Sequence, residues 1–167
     1  FLMPVLFAIL LFLVGHAVIV GDFASSIGYL FEPDFSRLTS KTILLAMGQA
    51  FFSLSIGMGA IMAYGSYLPA RISVGKCALS IAVADTLVAL LAGFAIFPIV
   101  FAFGLEPAQG PGLVFVTLNV GFSEMAYGRF FGLVFFLLLT IAAWTSSISL
   151  IEPGIAWLSE VSEMSRK

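Results

Sequence analysis

Four long apolar stretches constrain this chain more than any other feature of its sequence. They run over residues 2–20, 42–68, 77–103 and 130–158. At about 1.5 Å per helical residue, each is long enough to cross about 30 Å of hydrocarbon as an α-helix. The sequence therefore predicts an all-α membrane protein with four transmembrane helices.

The composition agrees with a chain that faces lipid rather than water. Of its 167 residues, 61% are hydrophobic and 10% are charged, and the mean hydropathy is +1.15. A soluble domain is about half apolar and about a quarter charged. The 18 phenylalanines fit the same environment, because a bilayer accepts apolar rings on every face of a helix. A net charge of −2 argues against a nucleic-acid partner.

Polar, turn-rich segments separate the predicted spans. They form an outer loop at 21–41, an inner loop at 69–76 and an outer loop at 104–129. In the first loop, Pro33-Asp34 predicts the start of a short surface helix. In the third, the apolar residues Leu113 to Leu118 follow a Gly-Pro-Gly turn and are too few to span. They predict a hairpin that dips back against the protein.

The positive-inside rule favours this orientation by a narrow margin. With Phe1 starting in the cytoplasm, four cations lie inside and three outside. The inner ones are Arg71, Lys76, Arg166 and Lys167, and the outer ones are Arg37, Lys41 and Arg129. The opening residues include neither an initiator Met nor a signal-peptide pattern, so we expect both ends to be cut ends of a longer protein.

Serine and glycine alternate in the middle of the second span. The hydroxyls are those of Ser53 and Ser55, and the glycines are Gly57 and Gly59. Glycine pairs are places where a helix kinks or unwinds. Unwound backbone at that depth survives only where it is buried in protein or lines a cavity. The pattern therefore predicts a helix broken at mid-membrane that faces a polar ligand, with close packing through small residues as the alternative.

A hydroxyl cluster lies near the centre of the fourth span. Thr145 and Ser146 follow Ala142 by three and four residues, so on a helix both hydroxyls hang near the Ala142 carbonyl. Three neutral oxygens at one point suit a hard monovalent cation such as sodium. The alternative is that these hydroxyls bond back to their own helix, as Ser and Thr routinely do.

Two carboxylates lie within the predicted spans. Asp85 is placed inside the third, where a carboxylate costs about 3 kcal/mol, so it is expected to face a partner or a cavity. Glu152 precedes Pro153 in the fourth and is a weaker candidate, because it can also reach the interface or bond polar neighbours. We assign no role to His16.

Three motifs together resemble the neurotransmitter:sodium symporter family, in its bacterial branch. They are LMPVLF at residues 2–7, GQAFFSLSIGMGA at 48–60, and Thr145-Ser146-Ser147 followed by Glu152-Pro153. The resemblance covers essentially the whole chain, as the fifth to eighth transmembrane helices of that family in order. It implies an inverted-repeat transporter fold, with one partial transporter domain over residues 1–167.

The resemblance also implies a substrate site. The residues placed there are Phe52, Ser53, Ser55, Met58, Ser146 and Leu150. The first four match the family's unwound helix, and Leu150 would wall the pocket. Met58 stands where the family often has an aromatic residue. The preference of the site for particular substrate side chains is therefore expected to depend on this methionine.

Two sodium sites are implied as well, and no organic cofactor. Ser53 and Asp85 match ligands of the first site, where Asp85 replaces a usual asparagine. The Ala142 carbonyl and the hydroxyls of Thr145 and Ser146 match the second. Chloride-independent bacterial members are similar but carry an acidic residue one turn beyond that asparagine, where this chain has Ala89.

An inner gate is implied by two further residues. Tyr67 matches the inner end of the family's sixth helix. Glu160 matches an acidic residue that pairs with an arginine near the family's N-terminus, a region that this sequence does not include.

The expected function is therefore sodium-coupled symport of an amino acid or related small amine across the cytoplasmic membrane. The partners are the substrate, the bilayer and the remaining helices of the full-length protein. An ion channel would need a continuous wet path, and a structural subunit of a membrane complex would show no ligand dependence. An enzyme is not expected, because the one Cys and one His form no nucleophile–base pattern.

Overall fold

A computed structural model describes residues 2–69, 71–107 and 110–162, with the side chain of Arg37 left out. These residues form seven α-helices, with short 3₁₀ turns at Phe35–Arg37 and Ile56–Met58 and a π turn at Leu113–Thr117. The helices are α1 (Leu2–Val20), α2 (Phe23–Phe31), α3 (Ser40–Ser53), α4 (Ala60–Ser66), α5 (Val74–Ala102), α6 (Leu118–Glu124) and α7 (Gly128–Val161). Arg166 and Lys167, which entered the orientation count, lie outside the described residues.

Three helices in the described part of the chain are long and apolar enough to cross a membrane. They are α1, α5 and α7, with 19, 29 and 34 residues. They occupy the first, third and fourth predicted spans. α5 begins three residues before the predicted bound and ends one residue before it, and α7 extends two and three residues beyond its bounds. Proline occurs inside α5 at Pro98 and inside α7 at Pro153.

The second predicted span is two helices rather than one. α3 has 14 residues and α4 has 7, which correspond to about 21 Å and about 10 Å of helix. Neither is long enough to cross a bilayer alone, so this predicted span is broken, as the serine–glycine alternation predicted, while the other three predicted spans are continuous helices. α3 begins at a capping box in which the Thr39 side chain accepts from the Thr42 amide and the Thr42 side chain accepts from the Thr39 amide.

The two longer loops, 21–41 and 104–129, contain more helix than the sequence predicted. α2 was not anticipated, and Asp22 caps its first turn. At Pro33-Asp34, where a surface helix was predicted, Asp34 caps only the three-residue turn Phe35–Arg37. The apolar stretch in the third loop runs as helix over Leu113–Glu124, which is too short to span a bilayer.

The chain divides into two compact units. The first unit comprises residues 1–33 and 87–142. Its core is formed by Leu10, Leu13, Ala17, Ala95, Ile99, Val100, Leu118, Phe122, Met125, Phe131, Phe135 and Leu138. His16 stacks on Phe131 with ring centroids 3.4 Å apart, so this histidine takes part in the packing of the first unit.

The second unit comprises residues 34–86 and 143–167. Most of its described apolar side chains are exposed in this chain, for example Leu44, Met62 and Trp144, while Ala60 at the start of α4 is buried. Apolar faces of this extent require a cover of lipid or of protein. The second unit also contains most of the polar residues that the sequence singled out.

Candidate functional site

The second predicted span breaks between two residues in left-handed conformation. Ser55 has φ 54° and Gly59 has φ 76°. A residue with a Cβ pays about 1–2 kcal/mol in this region, so Ser55 is a strained point, whereas Gly59 adopts it freely. Across the break, the amides of Ser55 and Met58 donate to carbonyls three residues back, those of Phe52 and Ser55. The α-helical ladder is therefore interrupted here, as the Ser-Gly alternation predicted.

A polar pair joins the broken segment to α5 within the second unit. The Ser53 hydroxyl, at the end of α3, donates to Asp85 Oδ2 at 2.9 Å. Asp85 is half-buried, and the two residues are 32 positions apart in the sequence. The fold thus brings together two side chains that the sequence had assigned to one sodium site. Their hydroxyl and carboxylate oxygens are hard donors of the kind that bind hard cations.

The polar residues of α7 share one helical face. Ala142, Thr145, Ser146 and Ser149 stand at positions i, i+3, i+4 and i+7. Thr145 is half-buried and Ser146 is exposed. On the same face, the Ser149 hydroxyl donates back to the Thr145 carbonyl at 3.3 Å.

Two tyrosines connect α4 to α7 inside the second unit. The Tyr64 hydroxyl donates to Ser149 Oγ at 3.3 Å, and the hydroxyl of Tyr67, just after α4, donates to Glu152 Oε1 at 2.9 Å. Glu160, the expected gate partner from the family pattern, lies two turns further along α7 and is exposed. The sequence reading gave no role to Tyr64 or Ser149. The sequence did contain one indication of these contacts. Tyr64 and Tyr67 are three residues apart, and so are their partners Ser149 and Glu152.

The apolar members of the predicted substrate site are exposed in this chain. Phe52 is 69% exposed, Met58 39% and Leu150 49%. Within residues 2–69, 71–107 and 110–162, no group of three His, Cys, Asp or Glu side chains could hold a metal ion. The oxygen donors of Ser53, Asp85 and the α7 face are a different kind of set, built mainly from hydroxyls and carbonyls.

Three features of this chain together point to one class of membrane protein. They are the broken helix, the serine–carboxylate pair beside it and the helix face that carries hydroxyls. Irregular backbone and charge are tolerated at membrane depth only where they meet a ligand, a cavity or other protein. Secondary transporters build their midplane sites from such discontinuous helices. Apolar helical chains with these features are found in integral membrane transport proteins. Residues 1–167 match the family model "Sodium:neurotransmitter symporter family", and the chain belongs to that family.

Two curated relatives cover nearly all of the chain. It is 37% identical over 166 residues to "Uncharacterized sodium-dependent transporter YhdH" of Bacillus subtilis (strain 168), covering 99% of this chain and 37% of the relative. It is 40% identical over 166 residues to an "Uncharacterized sodium-dependent transporter" of Haemophilus influenzae, covering 99% of this chain and 36% of the relative. The chain thus spans little more than a third of the length of these relatives.

A solved structure has a similar fold. It is described as the crystal structure of MhsT in complex with L-phenylalanine, and it superposes with a TM-score of 0.80 at 42% identity. The match covers 98% of this chain and 37% of MhsT. The resemblance read from the motifs and the assignment to a membrane are confirmed by these comparisons. The relatives are transporters rather than enzymes.

Proposed function

We propose that this chain is the central part of a symporter that uses sodium to carry an amino acid or a related small amine across the cytoplasmic membrane by alternating access. The observation that carries the proposal is the contact of Ser53 with Asp85 at the end of α3. It joins a hydroxyl at a helix break to a carboxylate on another membrane helix, and such a polar pair at that depth calls for a ligand. The family points to sodium as the coupled ion, because its members include sodium-dependent transporters.

The first sodium would lie between Ser53 and Asp85. On binding of sodium, the Ser53 hydroxyl would keep its proton and turn it away from Asp85, and the hydroxyl and carboxylate oxygens would become ligands of the ion. The negative charge of Asp85 would then be balanced by the cation instead of by the hydroxyl dipole. The remaining ligands of this ion would come from helices of the full-length protein.

The second sodium would lie against α7. Its ligands would be the Ala142 carbonyl and the hydroxyls of Thr145 and Ser146, which share one helical face. These three groups are neutral, so the site would favour a monovalent over a divalent cation. Further oxygens from other helices would complete it.

The substrate would lie along the broken segment. The residues that would contact it are Phe52, Ser53, Ser55, Met58, Ser146 and Leu150. The relative MhsT was solved with L-phenylalanine, which makes that amino acid the first substrate to test. Tyr67 and Glu160 would act on the inner side, where Tyr67 already meets Glu152.

The test is uptake by the full-length protein in proteoliposomes. Labelled phenylalanine and a panel of other amino acids would be offered with an inward sodium gradient and, in parallel, with choline in place of sodium. We expect accumulation only with sodium, at a fixed ratio of sodium to substrate. Sodium flux without coupled substrate would indicate a channel, and no sodium-dependent binding or transport at all would indicate a structural role.

A further inference from the structure

One face of α7 carries both the candidate sodium ligands and the attachment point of α4. Ser149 lies one turn beyond Thr145 and Ser146 on the face that begins at Ala142. Tyr64 of α4 binds this face at Ser149, through its hydroxyl at 3.3 Å. The inner half of the broken helix is therefore attached next to the turn that bears the sodium hydroxyls.

The attachment continues into that turn through a single hydroxyl. Ser149 Oγ accepts from Tyr64 and donates to the Thr145 carbonyl, again at 3.3 Å. A hydroxyl has one proton and two lone pairs, so Ser149 can form both bonds at once. Bonds in such a chain strengthen each other, and back-bonding to a carbonyl four residues earlier bends a helix. The position of Tyr64 therefore influences the geometry of the turn that holds Thr145.

We propose that Tyr64 and Ser149 are positioning residues that couple sodium binding on α7 to the docking of α4. The inference rests on the proposed function, since it takes Thr145 and Ser146 as sodium ligands. When α4 is docked, the Tyr64–Ser149–Thr145 chain holds the turn in the form that binds sodium. When α4 moves away, the chain breaks and the sodium site loosens. Because binding linkage is reciprocal, sodium in turn favours the docked position of α4.

Removing one hydroxyl of this chain gives a measurable prediction. The variants are Tyr64→Phe and Ser149→Ala, each of which deletes a single oxygen, and their combination. A net hydrogen bond shifts an equilibrium by about two- to tenfold. We expect each variant to raise the half-saturating sodium concentration by about that factor, because the binding-competent state becomes less populated. The substrate KM at saturating sodium should stay within about twofold of the native value.

Both substitutions interrupt the same series of hydrogen bonds, from Tyr64 through Ser149 to Thr145, so their effects on sodium affinity should not add. The double variant should therefore resemble the more affected single variant. Ser149→Thr keeps the hydroxyl and should restore a near-native sodium response. The matched controls are Tyr29→Phe, a tyrosine whose ring packs at a tilt against Phe97 in the first unit, and Ser147→Ala, whose hydroxyl donates to the Ala143 carbonyl. Both controls should show native sodium dependence.

The experiment uses the full-length protein with two readouts. One is the sodium dependence of uptake in proteoliposomes, and the other is thermal stabilisation by sodium without substrate. A native protein without any sodium response would refute the proposed function and this inference together. A sodium-dependent native protein whose Tyr64→Phe variant shows an unchanged half-saturating concentration in both readouts would overturn the coupling alone. Additive effects in the double variant would also overturn it.

Discussion

The Ser53 hydroxyl donates a 2.9 Å hydrogen bond to Asp85, across 32 residues of sequence, where α3 ends and the broken segment begins. A carboxylate inside a span costs about 3 kcal/mol, and one hydrogen bond offsets only part of that cost. The contact therefore marks a place where a cation would be stabilised.

Removing the α7 oxygens should remove the dependence on sodium. Thr145→Val with Ser146→Ala deletes two of three local donors and barely changes volume. We expect sodium-driven uptake by the full-length protein to fall to the level seen in choline, because one carbonyl alone does not replace the water around sodium. Uptake would be measured in both media over a range of sodium concentrations.

The control for this change lies on the same helix. Thr140 and Ser147 also carry hydroxyls, but these donate to the carbonyls of Phe136 and Ala143. Thr140→Val with Ser147→Ala should therefore keep normal sodium-driven uptake. Normal uptake by the Thr145/Ser146 variant would show that the second sodium does not bind there.

Gly57→Leu should block substrate binding at the break. A Cβ on Gly57 meets nothing within 4 Å, so a larger side chain fits the chain but fills the space beside the broken segment. Leucine also favours helix where the backbone must stay irregular. We expect substrate affinity to fall at least about tenfold with near-normal expression, measured by equilibrium binding in sodium.

Gly48 provides the comparison for Gly57. It also has open space around its Cβ position but lies within the continuous part of α3. Gly48→Leu should bind substrate normally. Equal affinities for the two leucine variants would favour simple packing of helices through small residues instead of a ligand site.

The break and the polar pair illustrate what sequence could predict. Alternating serine and glycine indicated an irregular segment, because glycine weakens helix wherever it occurs. The left-handed conformation of Ser55 was not predictable, because glycine adopts this conformation at lower energy than serine and Gly57 is only two residues away. The Tyr64–Ser149 contact was missed for another reason. It joins residues 85 positions apart, and only packing decides such a pairing.

The α2 helix shows a local signal that was overlooked. Asp22 accepts from the amide and hydroxyl of Ser25, an N-cap pattern that reads directly from the sequence. The nearby Pro33-Asp34 predicts the start of a surface helix, but Asp34 caps only the single turn Phe35–Arg37. A proline–aspartate pair marks a start without fixing how far the helix continues.

Gly21→Ala should destabilise the first unit. An added Cβ would stand 2.5 Å from the Ala17 carbonyl oxygen and 2.5 Å from Pro98 Cβ. The adjacent amide of Asp22 donates to the Pro98 carbonyl at 2.9 Å, so the backbone there cannot shift without breaking a bond. We expect a loss of about 1–3 kcal/mol and a lower Tm in detergent. Gly15→Ala, with open space around its Cβ, should leave the Tm unchanged.

The cap of α2 should contribute stability that depends on pH. Hydrogen bonds from the Ser25 hydroxyl and amide lower the pKa of Asp22 below its ordinary value of 3.8. The folded state therefore favours the charged form, and this contribution is present above the ordinary pKa and is lost as pH falls through the lowered one. In the Asp22→Asn variant, residue 22 has no carboxyl group to titrate, so this pH-dependent contribution to stability is absent.

Thermal unfolding of both proteins across acidic pH would test the cap. The stability advantage of the native protein over Asp22→Asn should shrink as pH falls below about 3.8. Ser25→Ala removes the largest cause of the lowered pKa. The pH-dependent part of the stability should therefore be smaller in this variant, and its loss should be complete at a higher pH than in the native protein. Parallel unfolding curves for native and Asp22→Asn proteins would rule out a role for this carboxylate.

Asp85 should make transport independent of chloride. It stands where the family usually has an asparagine, and the position one turn further, acidic in similar chloride-independent bacterial members, is Ala89 here. Asp85 can thus ligate sodium and supply the compensating negative charge. At about 4 Å and an effective dielectric near 20, that attraction is about 4 kcal/mol before desolvation. Replacing chloride by gluconate should leave native uptake unchanged.

The Asp85→Asn variant separates this explanation from a carboxylate that merely bonds Ser53. Asparagine keeps the size and an oxygen ligand but removes the charge, so a mobile anion would have to replace it. We expect the variant to require chloride for uptake, while Glu124→Gln, which neutralises an exposed outer carboxylate, should remain chloride-independent. Native uptake that collapses in gluconate would refute the idea, because the charge of Asp85 would then be insufficient beside the sodium.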